Sequence, residues 1–205
     1  INGISPAINE KIMCGIDTAK QLHNIKYFIN QRDLLGSEST VTLQCTFMMS
    51  NLYELENIIR WGIEHGVSRI KGHHLWKTSD SLDDEMLRTK ENAPLWNEVC
   101  EKCHKVAEGK ILLENFTPVD LKAPAIDEDD TFCQFLGKEL WIEYDGSYQI
   151  CCCPSEVRKE FGDFGNIKTL SAIEMWNGEK YHSFIDNWGE SENCKKCNMR
   201  RKSKL

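Results

Sequence analysis

Four cysteines in the last third of the sequence have the spacing of metal ligands. Seventeen residues separate Cys133 from Cys151, and forty-two more precede the closing pair Cys194 and Cys197. Only two residues separate that pair, so one turn can present both sulfurs to a single centre. Four thiolates suit either a tetrahedral zinc ion or a [4Fe–4S] cluster. The sequence therefore predicts a metal centre, with the cluster favoured and zinc as the alternative.

The second ligand position is ambiguous because Cys151, Cys152 and Cys153 are consecutive. Neighbouring residues on a strand point to opposite faces, so only the first and third can face the same way. We assign the ligand to Cys151, which lies five residues after Gly146 at the spacing set by the preceding turn. Cys152 and Cys153 stay open as alternatives.

A β-hairpin and two helices are predicted to position these cysteines. Residues 138–144 alternate as a strand does, Asp145-Gly146 is typical of a two-residue hairpin turn, and residues 147–151 return antiparallel. Ser171 and Glu174 have the spacing of a capping box at a helix start. The apolar stripe of the next helix comprises Tyr181, Phe184, Ile185 and Trp188. Together these elements can enclose one apolar cavity.

The first 120 residues alternate between predicted strands and helices. Apolar, β-prone segments at 41–48, 67–71 and 111–116 are predicted strands, with helical patterns between them. A strand, a helix and a strand with short connections form a βαβ unit, whose strands are parallel. The fold class is therefore α/β, as a doubly wound sheet or part of a (β/α) barrel. In both, functional residues are expected at the carboxyl ends of the strands.

Several helix starts in this half can be predicted from polar residues. Asp17 or Thr18 is expected to cap the second helix, and Asn51 with Glu54 resembles a capping box for the third. A further helix is expected around residues 82–87, before one that begins near residue 92.

Two adjacent histidines follow the second predicted strand. His73 and His74 point to opposite faces if that strand continues, so they cannot bind one metal ion together. We predict that His73 contacts a substrate or cofactor, although packed or solvated histidines are commoner.

The remaining cysteines are predicted to be structural. The segment 100–104, Cys-Glu-Lys-Cys-His, matches the short haem-attachment pattern. However, Cys103 falls on an apolar helical stripe with Val99, which favours a small core residue over haem attachment or zinc binding. Cys14 and Cys45 are expected to be buried thiols.

Composition limits the partners and the compartment. The 205 residues carry a formal net charge of −7, which disfavours binding to nucleic acid or to an anionic membrane surface. No apolar run approaches the length of a membrane span. Clustered cysteines among ten in a chain of this size indicate the reducing cytoplasm. Residues 121–132, with the acidic run 127–130, are predicted to be a linker between two domains.

The second half resembles the SPASM/Twitch auxiliary-cluster domain of radical SAM enzymes. The shared features are the pattern Cys133, twelve residues, Gly146, four residues, Cys151, then Gly165-Asn166-Ile167, Ile173-Glu174-Met175-Trp176-Asn177, and the pair Cys194 and Cys197. Residues 1–120 are similar to the later strands and helices of the partial (β/α) barrel that precedes this domain. The resemblance implies a C-terminal portion of that barrel, the linker, and a small α+β domain at 133–205 with a hairpin and helix.

The chain departs from the family pattern in two ways. The three-cysteine motif for the cluster that cleaves S-adenosylmethionine is not among these residues, and Ser203 stands where full SPASM domains carry further cysteines. The resemblance therefore implies one auxiliary [4Fe–4S] cluster on Cys133, Cys151, Cys194 and Cys197, in a piece of a longer oxidoreductase or maturase. That parent would use S-adenosylmethionine and a second [4Fe–4S] cluster.

The resemblance also implies the partners of the parent enzyme. It would oxidise or modify a small-molecule or peptide substrate, with the auxiliary cluster as electron acceptor, and would receive electrons from a flavodoxin or ferredoxin. Two alternatives belong to other classes of protein. One is a structural zinc module with four cysteine ligands that serves as a binding platform, and the other is a thiol–disulfide protein that uses Cys194 and Cys197.

Overall fold

The protein is described by a computed structural model in which the chain forms two compact units. The first comprises Ile1–Leu75 and Ser81–Ala123, and the second Trp76–Asp80 and Pro124–Leu205. No helix in the described part of the chain is long and apolar enough to cross a membrane. The structure describes residues 1–77, 79–120, 131–153, 155–195, 197 and 199–202.

The first unit is built on a parallel sheet of three strands. Strands β1 (Thr42–Phe47), β2 (Arg69–His74) and β3 (Leu112–Glu114) lie side by side in that order. Helix α3 (Leu55–Glu64) connects the first two strands, and helix α4 (Ala93–Ala107) connects the second and third. The α/β class and the parallel pairing are confirmed. The partial barrel stays a prediction, because a sheet of three parallel strands is common to both predicted architectures.

Two further helices precede the sheet. They are α1 (Pro6–Ile12) and α2 (Thr18–Leu34). The Asp17 side chain accepts a hydrogen bond from the Lys20 N–H at 2.9 Å, so the predicted cap of α2 is confirmed. Fully buried Asn9 ties the two helices together, because its Nδ2 donates to the Thr18 hydroxyl at 3.1 Å.

Apolar residues of α3 and α4 form the core of the first unit with one face of the sheet. The tightest approach is at Gly72 of β2, where an added Cβ would lie 1.9 Å from the Phe47 ring. On strand β2, Arg69 and Lys71 alternate with the buried positions and both pair with Glu114, at 2.8 and 2.7 Å. The largest buried side chains of this core are Phe47, Leu52, Leu55, Ile58, Ile59, Ile70, Leu87 and Trp96.

Two predicted helix features of this unit are wrong. Asn51 does not cap α3, because it lies inside a 3-10 helix (Met49–Glu54) that runs into α3. Its side chain instead donates to the carbonyls of Thr46 and Asn2, at 2.8 and 3.1 Å, so it secures the loop after β1. The helix expected around residues 82–87 is a 3-10 helix at Asp80–Glu85.

The second unit contains two small antiparallel sheets. Strands β5 (Trp141–Ile142) and β6 (Tyr148–Gln149) form the predicted hairpin, which is therefore confirmed. The predicted two-residue turn is wrong, because the Glu143 N–H donates to the Ser147 carbonyl and the loop comprises the three residues 144–146. Strand β4 (Thr131–Phe132) pairs with β7 (Arg201–Lys202) near the end of the chain, a pairing the sequence did not predict. Of the predicted linker, residues 121–130 lie outside the described residues, and the last two form β4.

Among the described residues, four short α-helices and a 3-10 helix (Trp188–Glu190) complete the second unit, with a small apolar core. The predicted capping box at α6 is confirmed, since the Ser171 hydroxyl accepts from the Glu174 N–H at 3.3 Å and the Glu174 carboxylate accepts from the Ser171 N–H at 2.9 Å. The helices are α5 (Ser155–Glu160), α6 (Ala172–Trp176), α7 (Glu179–Asn187) and α8 (Glu192–Lys195). The buried core residues are Tyr148, Ile150, Phe164, Met175 and Tyr181.

Candidate metal centre

One cavity in the second unit is lined by all four predicted ligand cysteines. Its volume is about 500 Å³ when its open mouth is included. A fifth cysteine, Cys153, also lines it, and most of the other lining side chains are apolar or aromatic. The cysteines of the cavity are Cys133, Cys151, Cys153, Cys194 and Cys197. Their assignment as ligands stays a prediction, but the structure brings them to one place.

The pairing of β4 with β7 explains how the most distant cysteines in sequence come together. Phe132 lies opposite Arg201 in that ladder, so Cys133 is held beside β7. Cys194 lies in α8, and the Cys197 N–H donates to the Cys194 carbonyl at 3.2 Å. This tight turn fixes the closing pair on the same side as Cys133.

The hairpin positions the second ligand. Gly146 has φ +91°, and an added Cβ there would lie 2.8 Å from the Asn166 Oδ1, so the turn requires glycine. The Ile167 N–H donates to the Gly146 carbonyl, and the Tyr148 N–H donates to the Gly165 carbonyl, both at 2.9 Å. The segment 165–167 therefore braces the hairpin, and Cys151 follows β6 after one buried residue.

Two buried tyrosines secure the walls around the cavity. The Tyr148 hydroxyl donates to the Leu170 carbonyl at 2.6 Å, and the Tyr181 hydroxyl accepts from the Gly137 N–H at 3.2 Å. Both rings are about 1% exposed, so each phenol group satisfies its polar end while its ring fills the core. The loop after Cys133 is thereby tied to helix α7.

The thiols of the closing pair have raised pKa values. Burial raises the pKa of Cys194 to about 11, and the neighbouring sulfurs of Cys133, Cys151 and Cys197 add to that rise. Burial likewise raises the pKa of Cys197. Thiolates gathered in an apolar cavity need a compensating positive charge, which bound metal provides.

The three consecutive thiols, Cys151 to Cys153, differ from one another in the direction of their pKa shifts. Hydrogen bonds from the Cys152 and Cys153 thiols to the Cys151 sulfur lower the pKa of Cys151 to about 3. The same hydrogen bonds, together with burial, raise the pKa of Cys152 and of Cys153. Cys151 is therefore the most readily ionised of the three. Cys152 is half-buried and is not among the residues that line the cavity.

Two arginines place positive charge beside the sulfurs. The Arg200 guanidinium lines the cavity and stacks 5.2 Å from the centre of the Trp188 ring. Arg158 pairs with Glu143 at 2.8 Å, and its charge contributes to the lowered pKa of Cys151. A cluster held by four thiolates carries net negative charge, so these arginines suit it. Sequence reasoning missed both, because neither belongs to a recognisable motif.

Zinc and a [4Fe–4S] cluster place different demands on the four predicted cysteine ligands. Four sulfurs around one zinc ion must all lie about 2.3 Å from it, whereas a cubane spreads its cysteine ligands over separate irons. Among the residues that the structure describes, no group of three or more histidine, cysteine, aspartate or glutamate side chains is close enough to hold one metal ion. The four predicted ligands line one cavity, as either kind of centre requires.

The other candidate residues lie outside this centre. The His73 side chain is exposed, and its Nε2 is 3.3 Å from the Thr46 hydroxyl; its predicted contact with a substrate or cofactor stays a prediction. Cys100 and Cys103 are fully buried in the core of the first unit, as expected for Cys103. The His104 Nε2 lies 2.6 Å from the Phe116 carbonyl.

One prediction about the isolated cysteines is wrong. Cys45 is buried in the sheet, as predicted, but Cys14 is exposed. It follows the end of α1, in a turn before α2 where Gly15 and Asp17 are also exposed.

The family comparison agrees with this location of the metal centre. Residues 133–198 match the family model of SPASM, described as an iron–sulfur cluster-binding domain. This region resembles an iron–sulfur cluster-binding domain. The match begins at Cys133 and includes every cysteine of the cavity. No curated protein matches the chain.

Proposed function

We propose that Cys133, Cys151, Cys194 and Cys197 bind one [4Fe–4S] cluster. The observation that carries this proposal is the convergence of all four side chains on one mostly apolar cavity within the SPASM match. Cysteine ligands on every iron leave no open position for a substrate. Electron transfer is therefore the role that this ligand set supports.

The residues of the chain prepare the cavity for that role. Bound there, the cluster supplies one-electron transfer. Phe135, Leu136 and Phe161 line the cavity and keep water from the cysteine sulfurs, which limits hydrolysis of the bonds between sulfur and iron. Arg200 places a positive charge at the cavity wall, which favours the more negative, reduced form. The protein thus sets the potential of the cluster through burial and charge.

We further propose that the chain works as part of a radical SAM enzyme. The SPASM match and the parallel βα units of the first unit support this proposal, since the same combination is typical of that class. Such an enzyme would use S-adenosylmethionine and a second cluster to oxidise or modify a small molecule or a peptide. Its electrons would come from a flavodoxin or ferredoxin, in a cytoplasm that keeps the ligand thiols reduced.

The proposal is tested by reconstituting the protein with iron and sulfide without oxygen. We expect a brown protein with absorbance near ~400 nm and matched iron and sulfide contents. Cys133→Ala should abolish cluster retention, whereas Cys14→Ala should not, because Cys14 is exposed and outside the cavity. A colourless protein loaded with zinc would support the structural zinc module. Disulfide exchange that survives Cys133→Ala in a protein without iron would support the thiol–disulfide alternative.

A further inference from the structure

The cavity contains one cysteine that the proposed ligand set does not use. Cys153 is only 1% exposed and lines the cavity together with the four predicted ligands. A buried cysteine is usually a small core residue. Cys153, however, is not among the residues of the apolar cluster of the second unit. It shares the cavity with the four predicted ligands and with apolar side chains, so its sulfur can reach the same centre.

The chain direction after the hairpin explains why Cys151 and Cys153 share a side. In an extended segment, residues two apart point the same way and the residue between them points away. Both Cys151 and Cys153 line the cavity, whereas Cys152 does not.

We propose that Cys153 is an alternative ligand for the corner of the cluster that Cys151 holds. This inference rests on the proposed function and adds a fifth residue to its site. In the exchange, the iron–sulfur bond to Cys151 breaks and one to Cys153 forms. The Cys153 thiol would release its proton on binding iron, and the freed Cys151 thiolate would take up one proton, so the exchange is balanced. No electron is gained or lost, so the exchange needs no oxidant or reductant.

The arrangement makes the ligand positions unequal. Cys133 has no second cysteine beside it in sequence, and the closing pair supplies one sulfur for each of two corners. Only the corner of Cys151 has a neighbouring sulfur that already faces the cavity. Loss of Cys151 should therefore be tolerated, whereas loss of Cys133 should not.

The test compares the iron and sulfide contents of variants reconstituted without oxygen, and the electron paramagnetic resonance spectra of their reduced forms. Cys151→Ala is expected to keep the wild-type content with an altered spectrum, because one iron has changed its ligand. The double variant Cys151→Ala/Cys153→Ala is expected to lose the cluster, as Cys133→Ala does. Cys152→Ala is the matched control and should leave content and spectrum unchanged.

The outcomes separate this inference from the proposed function. A wild-type protein without iron and sulfide overturns the proposed function. A wild-type protein with a cluster, combined with a Cys151→Ala variant that loses it as fully as Cys133→Ala, overturns only the role of Cys153. Loss of the cluster in Cys153→Ala alone also overturns it, because Cys153 would then be the sole ligand.

A size-matched pair covers the case in which the alanine variants do not fold. Cys151→Ser and Cys151→Ser/Cys153→Ala are compared, with folding checked by far-ultraviolet circular dichroism. A several-fold lower iron content in the double variant supports the inference. Equal contents in the two proteins contradict it, because retention would then not depend on Cys153.

Discussion

His74 gives the sharpest prediction about stability, because its imidazole is buried without a hydrogen-bond partner. Within the described part of the chain, neither ring nitrogen has a partner and both are inaccessible to solvent. The ring packs against Phe47 and Trp96, with ring centres 5.3 and 4.8 Å away. Burial, and then the positive charge of Arg88 and the neighbouring His73, lower the pKa of His74 to about 3.

The sign of the resulting pH dependence follows from that pKa. In the unfolded chain the imidazole titrates near 6.5, so between about pH 6.5 and 3 the unfolded state binds a proton that the folded state does not. The contribution of neutral His74 to the free energy of unfolding is therefore complete above about pH 6.5 and is lost as the pH falls. At about pH 5 the solution is roughly 1.5 pH units below the pKa of the imidazole in the unfolded chain. This difference lowers the free energy of unfolding by about 2 kcal/mol.

The assay is chemical denaturation at about pH 7.5 and pH 5, followed by circular dichroism. We expect His74→Phe to remove about 2 kcal/mol of the loss seen in the wild-type protein on acidification. Comparing the two proteins cancels contributions from the cysteine-rich unit, which both share. At the higher pH the variant should be as stable as the wild type or more so, because an aromatic ring replaces an unsatisfied polar one.

His73→Gln is the matched control, since the His73 side chain is exposed on the same strand. Partial desolvation of its ring and the charge of Lys71 lower the pKa of His73 as well, so this variant should remove a smaller part of the effect than His74→Phe. An identical loss of stability in the wild type and in His74→Phe would refute the reasoning, because His74 would then be as free to protonate in the folded state as in the unfolded state.

Three further perturbations address the sheet, the electrostatics of the cavity and a helix start. Gly72→Ala should lower the free energy of unfolding by about 3 kcal/mol or more in the same denaturation assay, because its Cβ would overlap the Phe47 ring; an unchanged midpoint would contradict the tight packing. Arg200→Gln should make the reduction potential of the cluster more negative in redox titrations, whereas Arg201→Gln, at an exposed position, should leave it unchanged; equal shifts would contradict a local effect. Ser171→Ala should cost about 1 kcal/mol of unfolding free energy through loss of the cap of α6, and a cost near zero would show that the cap is dispensable.

Features set by neighbouring residues could be predicted from the sequence. Gly146 favours a hairpin, because the backbone has positive φ there; the loop length was predicted as two residues and is three, since Glu143 pairs with Ser147. The capping box at Ser171 is equally local. The alternation of apolar segments and helical stripes in the first unit predicted parallel strands, since short connections through a helix permit no other pairing.

Features set by distant residues could not be predicted. Strands β4 and β7 have two residues each, too few for a periodic pattern, yet their pairing carries Cys133 to the closing pair. Asn51 has the local features of a helix cap, but its side chain hydrogen-bonds to Thr46 and Asn2, which competes with capping. The cysteine spacing could predict a metal centre, but only the folded chain shows that Cys153 faces the same cavity.

Mössbauer spectroscopy of the isotope-enriched, reconstituted protein tests the central claim most directly, because it reports the nuclearity and the ligands of the iron. We predict the signature of a single [4Fe–4S] cluster in which every iron has a sulfur ligand from the protein, and its disappearance in Cys133→Ala. Iron that binds only as isolated ions, or a cluster that persists unchanged without Cys133, would show that these sulfurs do not act together.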